Sequence, residues 1–150
     1  LDYGAEIANE VARRIVMPPH RDGGQAQYIA APMPEIPDDD PIRDTLIWIV
    51  EHLDGEMTVD GLATRAAMSP RSFMRHFKAT TGTTPLDWIL GQRIRLAQRL
   101  LETTDLPLEL VAERAGFGSA VTMRHHFAQR VRTSPQQYRR TFRAAGPAPA

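Results

Sequence analysis

Arg71, Met74 and Arg75 follow a Ser69-Pro70 pair at spacings of three and four residues, which puts them on one side of a helix. Guanidinium groups there form a cationic, hydrogen-bond-donating face of the kind that phosphates respond to. Fifty residues further on, Ser119 is followed by Val121, Thr122, Arg124 and His125 in the same arrangement. That second set is less polar at its tip: Val121 can make only apolar contacts. Other chemistries fit the sequence poorly. His125 and His126 are adjacent, so on a helix they point about 100° apart and cannot readily share a metal. No third ligand lies near them, and no metal or other cofactor is expected. The Asp38–Asp40 run reads as a solvated linker end that caps the next helix. The chain has no cysteine, which excludes a disulfide framework, a thiolate zinc site and a cysteine nucleophile. It has neither a Gly-x-Ser-x-Gly elbow nor a phosphate loop, so it is not expected to be an enzyme.

The elements that must position these residues are helices. Ile42, Leu46, Ile49, Val50 and Leu53 mark one face of a helix over about 42–53, closed by Asp54-Gly55. Thr58 can cap a second helix holding Leu62, Ala63, Ala66 and Ala67. Ser69-Pro70 starts a third, with Phe73 and Phe77 inward and Gly82 at its end. Thr84-Pro85 opens a long helix over about 85–102, whose stripe is Leu86, Ile89/Leu90, Ile94, Ala97, Leu100 and Leu101. Leu106-Pro107 starts a fifth with Leu110, Val111 and Ala115 inward. Ser119 caps a sixth, burying Met123 and Phe127, and Ser134-Pro135 starts a last one with Tyr138 and Phe142. Trp48, Trp88, Phe73, Phe77, Phe117, Phe127 and Tyr138 read as core.

An internal repeat runs through this series. Residues 62–68 (LATRAAM) align with 111–117 (VAERAGF) at an offset of 49. Residues 75–77 (RHF) align with 125–127 (HHF), and Thr84-Pro85 with Ser134-Pro135, at an offset of 50. One extra residue near Gly118 accounts for the change. Each copy is a short alanine-containing helix, a tight turn and a Ser-capped helix, the pattern of a helix-turn-helix. The connecting helix is roughly 27 Å long. Major grooves on one side of B-DNA recur about every 34 Å, so one chain could read a two-part site.

Charge supports that direction. Residues 1–40 hold eight acids against three arginines, and residues 41–150 hold fifteen lysines and arginines against ten acids. From Arg114 onward there are seven arginines and no acid. A neutral total therefore hides a basic C-terminal part suited to phosphates. Residues 2–17 read as a helix stopped by Pro18-Pro19, and residues 31–41, with four prolines and three consecutive acids, as a linker. No stretch has the length of a membrane helix and no secretion leader is visible, so no membrane partner and a cytoplasmic location are expected. Leu1 in place of a start methionine suggests a fragment or processed chain. The tail after Arg143 is expected to be disordered.

Residues 42–143 resemble the DNA-binding domain of the AraC/XylS family of bacterial transcription regulators. The residues that carry the resemblance are Leu62-Ala63, Ser69-Pro70-Arg71-Ser72-Phe73, Phe77, Gly82 and Pro85 in the first copy. Arg93-Ile94, Ala97 and Leu100-Leu101 carry it in the long helix. Val111-Ala112, Gly116-Phe117, Ser119, Phe127, Ser134-Pro135 and Tyr138-Arg139 carry it in the second copy. The resemblance implies an all-α domain of seven helices, two helix-turn-helix subdomains joined by the long helix. It implies base contacts from Arg71, Met74, Arg75, Val121, Thr122 and His125. Backbone contacts are implied from Ser69, Ser72, Lys78, Thr84, Arg93, Ser119, Arg124 and Ser134. Ala67 departs from the family pattern, standing where glycine is common, which is tolerable if its φ stays negative. Residues 1–30 resemble the closing segment of the ThiJ/PfpI (amidotransferase-like) sensor domain of GlxA-like regulators. The implied partner is double-stranded promoter DNA, with RNA polymerase and a second copy through residues 1–30 as further partners and an activator role. The effector of the sensor domain stays unidentified. The alternative is a helical protein–protein interaction domain that no longer binds DNA.

Overall fold

A computed structural model describes residues 36–145. The expected helix in residues 2–17, the linker up to residue 35 and the tail from residue 146 lie outside the described residues. Among the described residues there are seven helices and no strand: α1 (Pro41–Glu51), α2 (Val59–Arg65), α3 (Pro70–Thr81), α4 (Pro85–Thr103), α5 (Leu108–Ala115), α6 (Ala120–Val131) and α7 (Pro135–Ala145). Contacts divide the chain into two compact units, parting between Ile89 and Leu90 within α4.

The first unit is built on α1, α2, α3 and the start of α4. Asp40 caps α1, its Oδ1 accepting from the Ile42 N–H at 2.9 Å, and Pro41 supplies a pre-set first turn. α1 ends at Glu51, short of Leu53, because the His52 N–H turns back to the Ile49 carbonyl ahead of the Asp54-Gly55 turn. Leu53 is nevertheless buried, together with Ile42, Leu46, Ile49 and Val50. Thr58 caps α2, which buries Leu62 and Ala63. Phe73 and Phe77 on α3 are fully buried, and the Phe77 ring meets the Trp88 ring edge-on at 6.1 Å, a geometry that aromatic quadrupoles favour.

Three expectations are corrected in this unit. Ala67 does not keep a negative φ: it sits at +59°, left-handed, with its N–H bonded to the Thr64 carbonyl and the Met68 N–H to the Ala63 carbonyl. This wrapped helix end needs a left-handed residue, and the turn imposes it although alanine has a Cβ. Leu86 is not part of the buried stripe but 60% exposed. Pro85, Trp88 and Ile89 fill the core at that level, and Gln136, its counterpart fifty residues on, is exposed as well. Trp48 is half-buried rather than core. Its ring stacks on His52 at 4.1 Å, and the Arg65 guanidinium lies 4.1 Å from its centroid.

The second unit packs the rest of α4 with α5, α6 and α7 around Ile94, Ala97, Leu100, Leu101, Val111, Ala112, Ala115, Met123 and Phe127. Gly116 takes the left-handed turn at φ +93°, and the Phe117 N–H closes it on the Ala112 carbonyl at 2.8 Å. Arg132 ends α6 at φ +68°. α7 is fastened by its polar side chains. Arg139 donates to the carbonyls of Leu101, Thr104 and Leu106, two of them in or just past the last turn of α4. Tyr138 donates its hydroxyl to Glu102. Burial and the Glu102 carboxylate push the Tyr138 phenol well above its ordinary value. α7 continues to Ala145, so residues 144 and 145 are helical rather than part of a loose tail.

Candidate nucleic-acid interface

The tip of α3 is set by Ser69, whose Oγ accepts from the Ser72 N–H at 3.2 Å, and by Pro70 in the first turn. Phe73, Phe77 and Thr81 turn inward. Because the helix repeats every 3.6 residues, Arg71, Met74, Arg75 and Lys78 are left outward, and all four are exposed. Arg71, Arg75 and Lys78 make no ion pair with any described residue. No acid occurs between residues 61 and 86, so α3 itself adds no negative charge to this face.

α6 has the same construction. Ser119 caps it, accepting from the Thr122 N–H at 3.2 Å, and its hydroxyl also meets the Thr122 hydroxyl at 3.2 Å. Met123, Phe127 and Val131 face inward. Val121, Thr122, Arg124 and His125 are exposed. The alternation of buried and exposed residues over 71–87 recurs over 121–137 with one difference, half-buried Ser72 against exposed Thr122. Sequence reasoning overlooked Gln129, exposed one turn beyond His125 on this face. The fifty-residue offset pairs it with Ala79, which hid the gain of an amide donor and acceptor.

The two histidines at the equivalent inner shoulder part company. His76 Nε2 lies 3.2 Å from Asp40 Oδ1, the atom that caps α1. His126 stacks on Phe117 at 5.8 Å. Burial, then His125 and then Arg130, lowers its pKa from the ordinary histidine value.

The remaining backbone candidates divide. The Thr84 and Ser134 hydroxyls accept from the third N–H of their helices, at Asp87 and Gln137. The Asp87 carboxylate also accepts from the Thr83 hydroxyl at 2.8 Å, placing negative charge at the start of α4. The start of α7 carries no acid and is the better phosphate neighbour. Arg93 is half-buried and has interactions of its own. Arg139 and Arg143 are engaged by the carbonyls and Asp105 around the end of α4, Arg143 at the surface. No group of histidine and carboxylate side chains suited to a metal occurs among the described residues. No described helix is long and apolar enough to cross a membrane.

Two capped helices of matching exposure, each preceded by a short helix and a left-handed turn, are the parts of a tandem helix-turn-helix. A helix-turn-helix domain model matches residues 62–141, more than half of the chain. The chain belongs to the AraC-type helix-turn-helix family. Within this family it is 32% identical over 98 residues to the regulatory protein SoxS of Escherichia coli, covering 65% of this chain and 92% of that protein. It is 44% identical over 88 residues to the HTH-type transcriptional regulator Rv1931c of Mycobacterium tuberculosis, covering 59% of this chain but 34% of that protein. The chain thus spans about a third of that relative's length. The DNA-binding domain of AdpA, solved in complex with a target DNA, superposes with a TM-score of 0.71 at 44% identity, covering 74% of this chain and all of that one.

Proposed function

We propose that this AraC-type chain is the DNA-reading part of a longer transcription regulator, with α3 and α6 each lying in a major groove of one promoter, in successive grooves. The observation that carries this reading is the recurrence, fifty residues apart, of a capped helix with the same pattern of exposed positions and no acid among them. Arg71, Met74 and Arg75 then meet base edges from α3, and Val121, Thr122 and His125 from α6. Ser69, Ser72, Lys78, Thr84, Arg93, Ser119, Arg124 and Ser134 meet the backbone, with Thr84 and Arg93 the weakest members for the reasons above. Residues 42–143 form the reader, residues 31–41 its linker, and residues 1–30 the end of a ThiJ/PfpI-like sensor domain of the GlxA-like type. An activator role, contact with RNA polymerase, a cytoplasmic setting and pairing of two copies through residues 1–30 belong to the same proposal. The name of one relative, the transcriptional activator RclR of Escherichia coli, supports the activator part.

The test is a titration of the chain against random-sequence duplexes at several salt concentrations, followed by selection of bound sequences. Binding that falls steeply with salt and enriches one site, weakened by Arg75→Ala and His125→Ala, is expected. Weak, unselective binding indifferent to both substitutions would overturn the proposal in favour of a protein partner for the same surface.

A further inference from the structure

Val121 is 70% exposed, the most exposed of the large apolar side chains among the described residues. Folding gives no reason for it. It stands in the first turn of α6, past the Ser119 cap, and its β-branched side chain loses rotamer freedom in a helix. It gains no burial in return. Its equivalent in α3 is Arg71, at the position best placed to reach a base edge when the N-terminal end of such a helix enters a major groove. In that groove the one apolar group a base pair presents is the C5 methyl of thymine. The Thr122 hydroxyl is held by Ser119, so Val121 is the wholly apolar side chain of this tip.

We infer that Val121 is a specificity-determining residue that recognises a thymine by its methyl group, so that the two halves of the site are read by different chemistry. This rests on the DNA-reading function proposed above. The α3 half is read by hydrogen bonds from guanidinium groups to acceptors. The α6 half includes one position read by apolar contact alone, and the bound sequence is accordingly not a repeat of one half-site.

Replacing thymine by deoxyuridine removes that methyl and leaves every hydrogen-bonding group in place. Burying one methyl corresponds to about a fourfold change in affinity. With the full chain and its selected duplex, each thymine is exchanged singly for deoxyuridine. One exchange should weaken binding about fourfold. Val121→Ala should weaken binding to the thymine duplex by a similar factor and abolish the response to that exchange. Arg71→Ala should weaken binding while leaving the response intact. Exchanging the same thymine for 5-methylcytosine, with guanine opposite, should retain more affinity than unmethylated cytosine does. A selected site with no methyl-sensitive thymine, or one whose sensitivity survives Val121→Ala, overturns the inference and leaves the DNA-reading function standing. Failure to select any site overturns both.

Discussion

The two helix-turn-helix copies share a plan and differ in nearly every residue that plan leaves free. Both place a phenylalanine at the centre, Phe77 and Phe127, each fully buried and each met edge-on by an aromatic from the following helix, Trp88 and Tyr138. Outside that centre the copies diverge. Ile89 is a buried apolar residue, whereas its counterpart Arg139 grips three carbonyls. The corresponding left-handed positions are filled in opposite fashion: Ala67 and Gly82 in the first copy, Gly116 and Arg132 in the second, which has Gly118 as a further one. Each copy thus holds one left-handed residue with a side chain, at a different end of its recognition helix. The outward face carries Arg71, Arg75 and Lys78 in one copy and Val121, His125 and Ala128 in the other. Packing geometry constrains the buried positions of a repeat, while the exposed ones are free to follow the ligand.

The comparison can be broken first at its centre. Phe77→Ala and Phe127→Ala should each cost about 3–5 kcal/mol in denaturant unfolding, and a much smaller cost in either would show that the copies do not share a core. Arg139→Met should cost about 2–3 kcal/mol, since the Leu101 and Leu106 carbonyls lose their charged donor while the Thr104 carbonyl keeps Arg143. Ile89→Met, at the equivalent position, should cost under about 1.5 kcal/mol. On DNA, Arg75→Ala should lose about 1–3 kcal/mol of discrimination at its own base pair. His125→Ala should lose less, since its ring lacks the two-pronged fork of a guanidinium. Selection with each variant would separate the two halves of the site.

The turns offer a finer test. Gly116→Ala should destabilise by about 1–2 kcal/mol, the cost of left-handed backbone for an L residue. Ala67→Gly should stabilise by about 0.5–1 kcal/mol once the greater freedom of glycine in the unfolded chain is subtracted. Thermal melts of the pair should therefore move in opposite directions. The smallest effect is that of His126. Its folded-state pKa is lowered, so the unfolded chain takes up a proton more readily. The stability tied to this group is present above a pH of about 6.5 and is lost as pH falls through that value to the folded pKa. His126→Phe, which keeps a ring against Phe117, should flatten that part of the stability–pH curve.

Helix order, caps and outward faces were legible in the sequence because each depends on residues a few positions apart. Ser69, Ser119, Thr58 and Asp40 all cap as their types suggest. The faces of α3 and α6 follow from the 3.6-residue period and two buried phenylalanines. What could not be read depends on residues far apart. Arg139 was one of several arginines until the carbonyls at the end of α4 were seen around it. The Leu86 side chain fits the apolar spacing of α4, yet only packing shows that Trp88 and Ile89 take the core.

The sequence by itself determined the tandem repeat, its helices and the chemical character of each reading face, since local hydrogen bonding and periodic burial are written residue by residue. The tertiary structure alone decided which polar groups met partners far away in the chain. It turned His76 to Asp40 across thirty-six positions and stacked Arg65 on Trp48. These outcomes follow from which groups the packed helices bring within reach, and that proximity has no local signature in the chain.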